Sequence, residues 1–516
     1  MNVPSTPADT AQPVDLLVVG GGINGTGIAR DAAGRGLRVV LCEKDDLAQG
    51  TSSRSSRLIH GGLRYLEHGQ LRLVREALHE REILLRIAPH LVRPMRFVLP
   101  HVAGMRPAWM LRLGLFLYDH LAHRASLPAS RTAWLDAVPE GAAVRPGHRR
   151  GFLYSDCRTD DARLVVHNAL GAQALGARIL TRCELVDARC HDGLWHARLR
   201  ERSGAVREQA ARVLVNAAGP WVDALALRVP AARHAHRIRL VKGSHLVVPK
   251  FWSGDHGYLL QHTDRRVVFV TPYENDYAMV GTTDVAYEGA PDAVAISAEE
   301  THYLCDAVNR QLRCALSPAD VVYAYSGVRP LVDDAHDDPA AVTRDYVLDL
   351  AGGAAPAAHP PLLTVLGGKI TTFRRLAEQA LELLRPALPA MGPAWTAHAP
   401  LPGGALGDQG YEGALAQFRA AAAFLPAEHA LGLFARHGAA AGAVLAGGRD
   451  LAALGRHFGA GLYECEVRHF MAHEWARDCE DVLWRRSKFG LRLAEDARAQ
   501  LAQWMQGQDG RQPTCP

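Results

Sequence analysis

The chain has no run of 18 or more apolar residues, so a helix spanning a bilayer is not expected from it. It has almost no charge imbalance. Its 58 Lys and Arg stand against 54 Asp and Glu, and a net charge of +4 over 516 residues gives no reason to expect nucleic acid as a partner. Paired cysteines are also missing: nine are scattered without paired spacing, with no apolar secretory segment before them, which reads as reduced thiols in the cytoplasm. Residues 1–13, rich in Pro, Thr and Ala, read as a disordered leader rather than a signal peptide. A metal motif is lacking too. His469 and His473 lie four apart beside Glu474, but without the interior Glu of H-E-x-x-H or an evident third ligand, so no metal is expected.

What is present is a globular composition, 48% apolar and 22% charged, over a length that calls for two or three domains. Val14 to Val19 is an apolar run of strand length ending in Gly20-Gly21-Gly22; helical spacing follows through Ile28, Ala32 and Ala33, and a second apolar strand, Leu37 to Cys42, ends at Glu43. Gly20, Gly22 and Gly25 fill G-x-G-x-x-G in that context. The first permits the tight turn, the second lets a pyrophosphate approach the backbone, and the third lets helix and strand pack closely. The helix start, with Ile23 and Asn24, offers N–H groups to the phosphates, and Glu43 offers a carboxylate to the ribose hydroxyls. Dinucleotide binding follows.

Three later segments favour FAD over NAD. Gly50 to Ser55 (with Thr51, Ser52 and Ser53) and Arg57 to Leu66 (with His60, Gly61, Gly62 and Leu63) form a small-residue, hydroxyl-rich loop suited to lying against a large flat ring. Leu214 to Trp221 is a strand returning to a glycine turn at Gly219. Leu362 to Leu366 runs into Gly367-Gly368-Lys369-Ile370-Thr371-Thr372, then a helix to about Leu384, whose N-terminus suits the charge of a reduced flavin.

The run T-S-S-R-S-S-R-L-I-H-G-G-L-R-Y-L (Thr51 to Leu66) resembles the FAD-dependent, respiratory glycerol-3-phosphate dehydrogenases, as do Lys242 to His245, Val280 to Asp284, Tyr325 to Leu331 (with Gly327) and Thr343 to Tyr346. The likeness runs from about residue 14 to about 505; only Gly352 to His359, Ala/Gly/Pro-rich, departs from the pattern, as a surface loop. The resemblance implies an α/β fold: a Rossmann-like FAD-binding domain of the D-amino-acid-oxidase type, an inserted antiparallel substrate-binding sheet, and an all-α C-terminal domain. It implies sn-glycerol 3-phosphate as substrate, noncovalent FAD, a membrane quinone as acceptor (oxygen, with peroxide as product, being the alternative), peripheral association with the inner face of the cytoplasmic membrane, and a homodimer.

A dianionic phosphate calls for cations, arginine above all. Arg64, Arg329, Arg344 and Lys369 are the candidates, with Tyr65 as a hydroxyl donor; Lys369 is equally placed to serve the flavin, and Arg329 is also counted as catalytic. Alcohol oxidation needs a base, and His245, at the start of the apolar Leu246-Val247-Val248 strand, is the candidate, as the resemblance also points; the bland alternative is a residue that only orients substrate. Cys42 reads as a small core residue, and His234 and His236 as solvent-facing.

The expected boundaries are a flavin domain over 14–385 with an insert at about 81–149 and 231–319, a linker at 386–410, a helical domain at 411–506 and a disordered tail at 507–516. Pro107 to Leu121, with Trp109 and Tyr118 near its ends, suits a helix lying in the headgroup region, or equally a buried core helix.

Overall fold

The computed structural model describes residues 12–102, 104–229, 232, 234, 236–262, 264, 266–333, 345–352 and 359–509. Its first sheet grows from β1 (Val14–Val19), buried at every position except Asp15, the pattern of a parallel strand covered on both faces. β1 pairs in parallel with β2 (Val39–Cys42) on one side and with Val206–Asn216 on the other. Across the sheet the order is Val347–Ala351, Leu362–Leu366, Val206–Asn216, β1, β2 and Arg178–Leu180, the first of these antiparallel to its neighbour. A hairpin, Cys183–His191 with Leu194–Glu201, extends the sheet along the first half of Val206–Asn216. Helix α1 (Ile23–Gly34) covers one face together with Asp161–Ala174 and Phe373–Leu384, and their apolar sides share a core with β1. The leader lies outside the described residues except for Gln12 and Pro13.

Among the described residues the second sheet has ten strands. All its pairings are antiparallel except Gly257–Gln261 beside Val92–Pro100. Ile238–Pro249, which carries His245, pairs with Tyr277–Gly281 on one side and Tyr323–Val332, which carries Arg329, on the other. Helix Ala298–Gln311 closes this sheet's core, its start fixed by a capping box between Ser297 and Glu300. The insert is wider than expected from sequence. Arg150–Thr159 and Tyr323–Val332, assigned there to the flavin domain, pair in this sheet, because strand partnership follows register and not proximity in sequence.

Helix α2 (Leu71–Ile87) and helix α3 (Ala108–His120) lie between the first strands of that sheet. α3 buries Leu115 and Tyr118 and exposes Trp109 (65%), Leu113 (50%), Phe116 (48%) and Leu117 (40%). Tyr118, expected as an interfacial flank, instead turns inward, donating to Asp156 and accepting from the Gly61 N–H at 2.8 Å. No helix among the described residues is long and apolar enough to cross a membrane.

Segment 386–410 is a strap rather than a spacer. Trp395 packs on Arg30 and donates to Asp31 O, Arg30 donates to Ala399 O and Pro400 O, and Leu401 N–H reaches Ile87 O. Beyond it, helices Gly410–Ala421, Ala427–His437, Glu464–His473 and Glu495–Asp509 enclose two small cores, with one short hairpin, His457–Gly459 and Leu462–Tyr463. The last helix carries on through residues 507–509, expected to be disordered; residues 510–516 lie outside the described residues. Buried ion pairs lock this domain to the first: Arg485 and Arg486 both bond Asp46, and Arg163 bonds Glu474. Every described cysteine is free, and Cys42 is a buried core residue whose thiol burial pushes up.

Candidate active site

A cavity of about 470 Å³ runs from the carboxyl ends of β1 and β2 to the face of the second sheet. At its near end the glycines answer to geometry. Gly20 has φ +114°, and a Cβ there would sit 2.4 Å from Ala217 O; a Cβ on Gly25 would sit 2.0 Å from Gly20 O. α1 starts after Gly22 with no side-chain cap of its own, so its first turn faces the cavity, where Ser52 Oγ accepts from Ile23 N–H at 3.0 Å. Glu43 accepts from Gly21 N–H (2.6 Å) and Asp45 N–H (2.8 Å), and burial lifts its carboxyl to about 7. Beside it Lys44 lies over the Trp221 ring, whose indole donates to Asp292. Asn24 donates to Gly367 O, while its buried Oδ1 has no hydrogen-bond partner. An acid at Glu43, the backbone turn and helix start at Gly20 to Asn24, and the glycine turns at Gly327 and Gly368, the last beside Asn24, together fit an extended flavin dinucleotide.

At the far end His245 lies buried, between cross-strand partners Gly281 and Tyr325. The Tyr325 ring stacks on the imidazole with centroids 4.9 Å apart. Nε2 is 2.8 Å from Ser56 Oγ, and Nδ1 is buried without a partner. Burial, and then the positive fields of Arg329 and Arg57, hold the imidazole down to about 3, so it is neutral and has a lone pair to offer. Arg329 is ion-paired with Asp284 and donates to Thr283 O, which fixes the guanidinium at the cavity wall. Lys369 Nζ lies 3.6 Å from the centroid of Tyr65, and both face the cavity.

Of the residues singled out from sequence, Gly20, Gly22, Ile23, Asn24, Glu43, Thr51, Ser52, His60, Tyr65, Gly219, His245, Gly327, Arg329, Gly368, Lys369 and Thr371 line this one cavity. Gly25 acts behind it, through the close approach to Gly20. Ser53 lines a neighbouring polar cavity instead. Gly61, Gly62 and Leu63 do not line the first one: Gly61 is turned to Tyr118, and Gly62 is the left-handed residue that starts the 3-10 turn Leu63–His68. The Arg64 side chain and all of Arg344 lie outside the described residues. Sequence reasoning missed Arg54, Ser56, Trp221 and Asp284. Ser56 stood in the hydroxyl-rich loop, and Asp284 in the V-G-T-T-D motif, but their partners are 189 and 45 positions away.

Among the other histidines, His234 is tucked in beside Asp223 (2.9 Å) rather than facing solvent, while His236 is exposed. A third donor does stand near His469 and Glu474, namely His437, with ligand atoms within 4.8 Å of one another. Yet Arg163 bonds both oxygens of Glu474, and Glu466 accepts from Arg436 and His437; two carboxylates already balance two guanidiniums there, so a dication would face unneutralised positive charge.

Residues 15–374 match the family described as FAD dependent oxidoreductase, and residues 394–510 the C-terminal domain of alpha-glycerophosphate oxidase. A D-erythritol 1-phosphate dehydrogenase of Brucella abortus is 53% identical over 95% of this chain and 97% of its own. A glycerol-3-phosphate dehydrogenase of Pseudomonas aeruginosa is 52% identical over 99% and 98%. Among solved structures, the glycerol-3-phosphate dehydrogenase from Bacillus halodurans complexed with FAD superposes with a TM-score of 0.76 at 26% identity, covering 98% of this chain and 92% of that one.

Proposed function

The chain belongs to the FAD-dependent glycerol-3-phosphate dehydrogenases, and from that premise we propose that it oxidises sn-glycerol 3-phosphate at C2 to dihydroxyacetone phosphate. The observation that carries this reading is that His245, Arg329, Lys369 and Tyr65 line the same cavity as Glu43 and the start of α1. FAD, when bound, supplies the hydride acceptor, held by the Gly20–Asn24 turn, Glu43 and Ser52 at its dinucleotide end and by the turns at Gly327 and Gly368 at the other. Arg329 and Lys369 grip the phosphoryl group, and Tyr65 adds a hydroxyl donor; Arg64 and Arg344 are the further cations of the set.

His245 is the base for the C2 hydroxyl. Arg329 is among the causes of its low proton affinity, so a dianionic phosphate against Arg329 offsets that field and raises the basicity of His245 when substrate is present. Anaerobic addition of sn-glycerol 3-phosphate should bleach the bound flavin; unchanged absorbance sinks the reading. Flavin released by acid precipitation should leave a colourless pellet, as noncovalent binding requires.

Electrons then pass to a membrane quinone. The support is the row Trp109, Leu113, Phe116 and Leu117 on α3, an apolar face suited to headgroup depth on the inner side of the cytoplasmic membrane. Leu113→Glu with Phe116→Glu should shift the protein from the membrane pellet to the supernatant. Quinone reduction without stoichiometric peroxide separates this acceptor from oxygen, and sedimentation tests the homodimer. A second substrate is favoured by the 53% identity to an enzyme named for D-erythritol 1-phosphate. The same phosphate grip admits a polyol phosphate one carbon longer, and the ratio of kcat/KM for the two substrates decides which is preferred.

A further inference from the structure

We propose that Ser56 is a catalytic residue, relaying the substrate's hydroxyl proton to His245. This deepens the proposed alcohol oxidation and rests on it.

The imidazole has only one open nitrogen. Nδ1 is sealed from solvent and has no hydrogen-bond partner, so no substrate oxygen reaches it. Gly281 on one neighbouring strand and Tyr325 on the other leave the ring no sideways freedom. Nε2 remains, and Ser56 Oγ already sits on it at 2.8 Å, with both residues lining the cavity.

Ser56 is itself held from both sides. Ser55 donates to Asp161 through its N–H (3.1 Å) and its hydroxyl (2.8 Å), Arg57 N–H donates to Ser55 Oγ, and Tyr325 donates to Ser55 O at 3.0 Å. The tyrosine that stacks on the base thus also pins the backbone beside the hydroxyl. That is the preorganisation a proton relay needs, since both donor and acceptor are fixed before substrate arrives.

The relay requires the Ser56 hydroxyl to donate to Nε2, which places the ring proton on Nδ1 and the lone pair on Nε2. In the reaction the Ser56 Oγ–H proton moves to Nε2 while the substrate's O–H proton moves to Oγ. Bound FAD would accept the C2 hydrogen with its electron pair as C2=O forms. Serine ends neutral, His245 ends as imidazolium, and the alcohol has lost one hydride and one proton. Were Ser56 only a prop, substrate would have to displace it from Nε2 or approach the sealed nitrogen.

The test uses the flavin-loaded enzyme and sn-glycerol 3-phosphate. For Ser56→Ala, the anaerobic rate of flavin bleaching at saturating substrate should fall on the order of 10²-fold, with substrate Kd within about twofold of wild type. Ser56→Thr, which keeps a hydroxyl, should recover most of the rate and shows that the site still folds. Wild type should give a bowed proton inventory in H₂O/D₂O mixtures, two protons being in flight, and Ser56→Ala a linear one. Histidine-labelled protein should show His245 as the Nδ1–H tautomer by ¹⁵N NMR in wild type and as a mixture in Ser56→Ala. A wild-type rate in Ser56→Ala, a linear inventory in wild type, or a loss of substrate affinity that accounts for the whole rate loss overturns the relay. Failure of wild type to bleach at all would instead overturn the alcohol-oxidation reading beneath it.

Discussion

Gly281 stands directly across from His245, and replacing it with alanine should disable the proposed base without touching Arg329, Lys369 or Tyr65. A Cβ built there lies 2.1 Å from His245 Cδ2, 2.7 Å from Cγ and 2.8 Å from Nε2. Ordinary contact begins at 3.4 Å, so the ring would have to retreat by about 1.3 Å. Its only direction is toward Tyr325, already stacked at 4.9 Å and anchored through its hydroxyl to Ser55 O. A displacement of about 1 Å at a reacting group costs roughly 10²-fold in rate, because hydride and proton transfer both demand near-attack geometry. Gly281→Ala is therefore expected to lower the rate constant for anaerobic flavin reduction by about that factor. Its flavin content, read from the absorbance ratio of purified protein, and its substrate Kd should stay close to wild type. Reduction at the wild-type rate would refute the clamped-ring geometry, and loss of flavin would show that the strand, not the base, had moved.

Glu43→Ala should weaken FAD binding roughly 10-fold, by fluorescence of released flavin, since it removes the carboxylate expected to accept from the ribose. Arg163→Met leaves buried Glu474 without its charge partner and should cost about 3–5 kcal/mol, seen as a fall in Tm; adding Glu474→Gln should restore part of it. Stability should fall in mild acid. His167, His245 and His437 are held at about 3, 3 and 4, chiefly by burial, against 6.5 when unfolded. These are depressed histidine values, so their contribution is complete above pH 6.5 and is lost as pH falls toward 4, when the unfolded chain takes protons that the fold refuses. At pH 5.5 the three together remove about 4 kcal/mol, measurable by urea titration. Unchanged unfolding between pH 8 and 5.5 would contradict their burial as neutral rings.

The strand–turn–helix–strand unit was readable because its determinants are local: β1, the glycine turn, α1 and Glu43 fall within thirty residues, and Gly20 and Gly25 each have a steric reason. The sequence singled out His245 by its chemistry, but not its setting. Whether a lone histidine has a free nitrogen depends on Ser56 and Tyr325, which register alone brings to it. The same holds for Arg150–Thr159 and Tyr323–Val332, whose place in the second sheet is set by pairing with Val92–Pro100 and Ile238–Pro249, distant in the chain. The amphipathic character of α3 was visible, but the inward turn of Tyr118 was not, because Asp156, its buried partner, lies 38 positions downstream.

The strap at 386–410 crosses α1, the helix whose first turn lines the cavity, and fastens to its side at Arg30, Asp31 and Arg35. The C-terminal domain therefore hangs from the same helix that is proposed to receive the cofactor. Loosening either end should be felt at the other: apoprotein ought to expose the strap to proteolysis, and a chain cut near residue 400 ought to shed its flavin.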